Sequence, residues 1–285
     1  MAPNNESDEK GFIFAATGKD YVKLACNAAQ SLSKASPNFP IDLFTNLPSE
    51  VPEGIFSKII PLGDDFVRPK MRALRNSRFN KTIYLDADVI VVSDISDIFE
   101  VLNQFDIAAA MDEFQNHRLA HRIHSCAMPA AFPQLNGGVL GIKNSPGSQK
   151  FLNDWDAAVR NSPIKRDQPA LRELLFFSDL RLATLPHEYN HMDIFRGFTH
   201  RHSEHIAPRV FHLPQLHLRF DSRKTPDTSL KSILGRKRYR WLKKITAADK
   251  TLNPDGPDID FPALHQMGIK GFLRKVARKM LWFLR

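Results

Sequence analysis

Two aspartates interrupt an otherwise apolar run, TIYLDADVIVV, at residues 82–92. Ionised carboxylates are seldom buried without a partner. In an extended segment Asp86 and Asp88 share one face, a few ångströms apart. One of the two would then keep its proton unless a cation lay between them. A hard divalent ion resolves the conflict, because Mg2+ or Mn2+ takes one or two carboxylate oxygens and keeps other positions for phosphate and water.

The elements that must position this pair follow from the hydrophobic pattern. "GFIFAATG" (11–18) reads as a buried strand and turn, and "DYVKLACNAAQSLSKAS" as a helix with Val22, Leu24, Ala25, Ala28, Ala29 and Leu32 on its apolar side. "PIDLFTN" and "KIIPLG" are short strands, and "RPKMRALRNSRF" has helical spacing through Met71, Leu74 and Phe79 before the central strand at 82–86. "DIAAAMD" and "LNGGVLGIK" predict later strands; "SQKFLNDWDAAVRN" and "DQPALRELLFF" predict helices. Alternation of this kind predicts an α/β fold on a mostly parallel sheet, with ligands at the carboxyl ends of its strands. Asp86 and Asp88 fall at such an end.

Haloacid-dehalogenase-like phosphatases also carry an aspartate pair after a strand, early in the chain and followed by small or hydroxyl residues. Here Val89 and Ile90 follow, with no acidic partner motif downstream. The stretches "FAATGKDYV", "PKMRALRNSRFNKTIYLDADVIV", "LNGGVLGI", "DQPAL", "LPHEYN" and "VFHLP" stand in an order and spacing that resemble glycosyltransferase family 8, the family of glycogenin and the lipopolysaccharide galactosyltransferases. The likeness runs from about Gly11 to Leu213.

The resemblance implies a GT-A-like nucleotide-sugar-binding domain and a retaining hexosyl transfer from a nucleotide-sugar, UDP-glucose or UDP-galactose, to a glycan, glycolipid or lipopolysaccharide-type acceptor. It implies Mn2+ (or Mg2+) held by Asp86, Asp88 and His212; a mixed oxygen and imidazole set suits Mn2+ better than Ca2+. It places Thr17, Asp20 and Tyr21 on the nucleoside, Lys70 (with Arg72 as the fallback) on the donor sugar or phosphate, Ala87 between the metal ligands, and Asn136 and Gly137, with Gly138, in a sugar-contacting turn. Asp167 and Gln168 fall beside the anomeric carbon as the catalytic pair, Asp167 the better candidate of the two. One departure stands out. The family follows its metal histidine with a glycine and then a Lys-Pro-Trp, whereas this chain has "HLPQLHLRF", where Arg219 or His217 substitutes for the missing cation. The alternative function is therefore an impaired transferase scaffold that binds membrane or nucleic acid.

His117, His121 and His124 are spaced as one helical stripe facing the acceptor or solvent. His200, His202 and His205 lie in a polar loop, and His187 and Asn190 are expected to be structural or near the acceptor. The tail carries the basic charge: from Arg223 onward there are 16 Lys+Arg and 5 Asp+Glu, against 24 and 26 before it, within a total of +9. The body thus lacks generic nucleic-acid electrostatics. "KGFLRKVARKMLWFLR" (270–285) puts six basic residues opposite an apolar arc, the pattern of a helix lying in an anionic membrane interface. The expected organisation is a loose polar leader (1–10), a transferase domain (11–222) and a basic amphipathic extension (223–285). No apolar run reaches the ~18–20 residues of a membrane span. Two distant cysteines, Cys26 and Cys126, predict buried free thiols in a reducing compartment, which with the tail implies a cytoplasmic enzyme peripheral to a membrane.

Overall fold

Strand β1 (Lys10–Ala16) is a continuous apolar run, as suits a strand covered on both faces. Phe12, Phe14 and Ala16 enter one apolar cluster, and Ile13 and Ala15 the opposite one. The computed structural model describes residues 9–63, 68–118, 121–163, 166–194, 206–218 and 229–258. After β1 come α1 (Lys19–Ala35), β2 (Ile41–Thr45), β3 (Lys58–Pro61), α2 (Pro69–Arg75), β4 (Lys81–Leu85), β5 (Val89–Val91), α3 (Ile98–Val101) and β6 (Ile107–Met111). Then follow β7 (Leu135–Lys143), α4 (Pro146–Asn161), α5 (Asp167–Phe177), β8 (Leu182–Leu185), β9 (Val210–His212), α6 (Gln215–Leu218) and α7 (Leu230–Ala248), the last broken at Gly235.

Seven strands form one sheet in the order β3-β2-β1-β4-β7-β6-β8. β1 pairs in parallel with β2 and β4, and β6 with β8, while β7 runs antiparallel to both β4 and β6. The sheet is therefore mostly parallel, as the alternation predicts, with one reversed strand. Growth from β1 goes first toward β3 and then to β4 on the other side. That reversal opens a crevice at the carboxyl ends of β1 and β4, where α/β sheets take ligands. β5 and β9 form a separate two-stranded antiparallel ribbon pairing Val89 with His212.

Helix α1 covers one face of the sheet, and α2, α4 and α5 the other, through Met71, Leu74, Phe151, Trp155 and Leu171. Leu234 and Leu242 of α7 are buried in the same cluster as α1. Beside them, Arg209 donates to Asp249 at 3.0 Å, both side chains almost wholly buried.

Several local expectations are corrected. Helix α2 stops at Arg75 instead of reaching Phe79, because Asn76 leaves helical geometry and its side chain donates to the Arg72 carbonyl at 2.9 Å. Asp86-Ala87-Asp88 is a turn between β4 and β5, not an extended segment. The described residues of 117–124 form no helix, so the predicted histidine stripe does not exist there. Cys26 is buried as expected, but Cys126 is exposed. No helix among the described residues is long and apolar enough to cross a membrane. The leader to residue 8, His200, His202, His205 and the amphipathic segment 270–285 lie outside the described residues.

Candidate active site

Strand β4 delivers the aspartates. Tyr84 and Asp86, two residues apart, point to the same side, and the Tyr84 hydroxyl donates to Asp86 Oδ1 at 2.7 Å. Burial and the Asp86 charge hold that phenol well above its ordinary range, so it stays a donor. The turn then brings Asp88 round toward the β5–β9 ribbon, where its carbonyl accepts the Leu213 N–H at 2.9 Å. The same ribbon sets His212 Nε2 at 3.3 Å from Asp88 Oδ1 and 3.9 Å from Asp86 Oδ2.

On its other nitrogen, His212 Nδ1 is 3.0 Å from Asn190 Oδ1. A side-chain carbonyl only accepts, so Nδ1 carries a proton, and Nε2 is the nitrogen turned to the aspartates. The ring fits because residue 138 has no Cβ: one added there would stand 2.4 Å from its Nδ1 and Cε1. Gly137 and Gly138 thus lie inside strand β7 and not in a turn. Their use is close approach.

The ligand atoms of Asp86, Asp88 and His212 all lie within 4.8 Å of one another. Burial pushes the Asp88 carboxyl up, but the His212 charge and the hydrogen bonds from His212 and His217 hold it below the usual carboxylate range. Burial likewise lowers His212, and Asp88 outweighs it, leaving the imidazole above its ordinary value. Two carboxylates and one oriented imidazole are a donor set that fits a Mn2+-type ion.

Lys70, at the start of α2, is buried between the other acidic groups. Its Nζ donates to the Gly137 carbonyl at 2.9 Å and to Asp167 Oδ2 at 3.1 Å, and lies 3.2 Å from Asp86 Oδ1. Burial opposes the ammonium, but Asp86 and Asp167 keep its affinity for the proton above normal. Asp167 opens α5, where the positive end of the helix favours an anion. Burial raises its carboxyl, and Lys70 and then Arg68 bring it below the usual range. Trp155 Nε1 holds the Asp167 carbonyl at 2.9 Å. Beside it, Gln168 Nε2 and Asn136 Nδ2 both donate to Asp112 Oδ2, at 3.3 and 3.2 Å.

These groups face a cavity of about 510 Å³ whose lining includes Lys70, Asp86, Asn136, Asp167, Gln168 and His212, with Phe114 and His117 on its walls. A larger hollow of about 1110 Å³ between α1, β5 and α7 has, among the described residues, no carboxylate or imidazole in its lining. The Ala87 side chain is buried in the apolar cluster beside that hollow.

Thr17, Asp20 and Tyr21 follow β1 at the neighbouring strand end, around Gly18, whose φ of 83° suits only glycine and whose N–H donates to Asn46 Oδ1 at 3.0 Å. Asp20 and Tyr21 are exposed, so Tyr21 is not a core residue. Its ring lies 4.8 Å from that of His217, whose Nε2 is 2.6 Å from Asp88 Oδ2. Arg219 lies outside the described residues. The sequence reading missed Tyr84 and Asp112. Tyr84 was within reach, since strand alternation alone puts it beside Asp86; nothing local marks Asp112.

Residues 77–222, just over half of the chain, match the model of the family described as nucleotide-diphospho-sugar transferase. Among solved structures, the galactosyltransferase LgtC in complex with donor and acceptor sugar analogs is similar in fold. Identity is 16%, coverage 85% of this chain and 96% of that one, and the TM-score 0.52. An active-site mutant of LgtC gives 17% identity, 82% and 95% coverage and a TM-score of 0.52. No curated protein matches the chain.

Proposed function

Since the chain belongs to the nucleotide-diphospho-sugar transferases, we propose that it is a metal-dependent, retaining hexosyltransferase that uses a UDP-sugar, UDP-glucose or UDP-galactose, and a glycan or glycolipid acceptor. The observation that carries this reading is the convergence of Asp86, Asp88 and His212 at a cavity that also holds Lys70, Asp167 and Gln168. The two aspartates and His212 Nε2 would hold Mn2+ or Mg2+, which supplies Lewis-acid stabilisation to a diphosphate leaving group. Exposed Tyr21 offers a stacking face for uracil, with Thr17 and Asp20 beside it for the nucleoside. For that face to open, His217 must leave Tyr21, which also frees an imidazole for the diphosphate in place of the family's Lys-Pro-Trp cation.

Asp167 is kept ionised by Lys70 and the α5 terminus, so a negative charge stands ready where the anomeric carbon becomes cationic. Gln168 and Asn136, both fixed on Asp112, are oriented to bind sugar hydroxyls. The walls formed by Phe114 and His117 leave the acceptor side of the cavity. Residues 270–285 are proposed to hold the enzyme on an anionic membrane, the cytoplasmic face; unchanged vesicle sedimentation after their removal would refute that part.

The test is UDP release from UDP-glucose and UDP-galactose with Mn2+, with and without a glycan acceptor. Wild-type protein should release UDP, and Asp88→Asn should stay folded and lose the reaction. Near-normal Mn2+-dependent turnover in that variant would overturn the assignment.

A further inference from the structure

Outside the donor site, a second group of metal-ligating side chains converges. Glu113 lies just after β6, His187 opens the short 3-10 turn at His187–Asn190, and His191 follows its end. One ligand atom from each of the three lies within 4.8 Å of the others. We propose that Glu113, His187 and His191 form a zinc-binding centre that fastens together two loops forming one wall of the donor cavity.

The geometry of Glu113 is already that of a fixed ligand. Its Oε2 accepts the backbone N–H groups of Met192 and Asp193. Its Oε1 lies 3.1 Å from His191 Nδ1. Across a tetrahedral zinc with bonds of ~2.0–2.1 Å, ligand atoms stand about 3.3 Å apart, so this edge of the site needs almost no movement. The His187 ring centroid is 5.7 Å from that of His191, and His187 Nε2 lies 3.5 Å from Glu188 Oε1. The His191 side chain is buried, that of Glu113 is 13% exposed and that of His187 is 43% exposed, which leaves an approach and an open coordination position on the solvent side.

Two imidazoles and one carboxylate are a zinc donor set with a free position. The Asp86, Asp88 and His212 set is richer in oxygen and harder, so the two centres differ in preference. Each loop also carries a cavity residue. Asp112 precedes Glu113 and Met192 follows His191, and Asn136 Nδ2 contacts both, at 3.2 Å to Asp112 Oδ2 and 3.1 Å to Met192 Sδ. The His191 carbonyl accepts the His212 N–H at 2.9 Å, and Asn190 holds the His212 ring. An ion here would set the cavity wall and the neighbouring histidine together, without touching substrate.

The competing reading is a metal-free Glu113–His191 contact. To separate them, full-length protein is stripped with EDTA, exposed to zinc chloride, desalted and analysed for metal. Asp86→Asn with Asp88→Asn serves as the parent, so that the donor-site set takes no zinc. The parent should retain one zinc per chain and show a zinc-dependent rise in melting temperature. Adding His187→Ala, at a half-exposed position, should abolish both while leaving the melt in EDTA unchanged. Wild-type protein gives a second measurement that does not depend on the parent's folding: His187→Ala should remove one zinc per chain from it. Absence of zinc from the parent, or equal zinc with and without His187, would overturn the proposal in favour of the metal-free contact.

Discussion

Replacing Gly138 by alanine tests the packing around His212 directly. The new methyl would stand 2.4 Å from two ring atoms, about 1 Å closer than ordinary contact. The ring cannot turn aside, because Asn190 holds Nδ1 at 3.0 Å and the ring is buried between that residue and Asp88. A shift of about 1 Å stretches the Asn190 hydrogen bond beyond its working range. Overpacking of this kind costs about 1–3 kcal/mol, and a broken buried hydrogen bond adds about 1 kcal/mol. Reduced freedom of the unfolded chain returns about 0.4–1 kcal/mol. The net loss is on the order of 2 kcal/mol, a fall in melting temperature of roughly 4–8 °C for a chain near this size. Calorimetry measures the melt, and titration with Mn2+ measures the affinity of the displaced ligand set, which should weaken in parallel. Gly137→Ala is the control, because its methyl would stop 3.2 Å from Lys70 Nζ, a far smaller overlap than 2.4 Å, and should cost clearly less. If Gly138→Ala melts like wild type and binds Mn2+ equally well, the packing argument for His212 is wrong.

Lys70→Met leaves Asp86 and Asp167 facing each other without their shared cation, a loss of about 3–5 kcal/mol in metal-free protein. Urea unfolding measures it, and an unchanged midpoint would show that the ammonium is not what balances the two carboxylates. Asp167→Asn should lower kcat more than it raises KM, because the charge acts as the anomeric centre becomes cationic; an effect confined to KM would make it a binding residue. Burial pushes Asp249 up, but the Ala207 N–H, the Thr251 hydrogen bonds and Arg209 hold its carboxyl below the usual range. Its contribution is therefore present above the unfolded value of about 3.9 and lost as pH falls through the lower folded value. Asp249→Asn should be less stable at neutral pH and show a shallower acid loss by urea unfolding; parallel pH curves would contradict this.

Much of the frame was local and so legible in residue order. β1, α1, β2, β4, β6, β7, α4 and α5 each announce themselves by an apolar run or a helical period, which depends on nothing outside the segment. The aspartate pair, the glycines of β7 and the acidic start of α5 could be found for the same reason. Their meeting could not. His212 reaches Asp88 because β9 pairs with β5 across more than a hundred residues, and Lys70 joins Asp86 to Asp167 because α2 and α5 cover the same face of the sheet. A strand written as apolar residues has no direction, so only the pairing of β7 with β4 and β6 decided that it runs backwards. The sequence presented Asp86 and Asp88 as an extended pair; the departure of β5 into a second ribbon bends them into a turn. Glu113 and Asp112 carry no local sign of their neighbours, since a carboxylate's partners are chosen by the loops that fold over it. Residue types set what chemistry is available, and long-range packing alone sets which groups share one cavity.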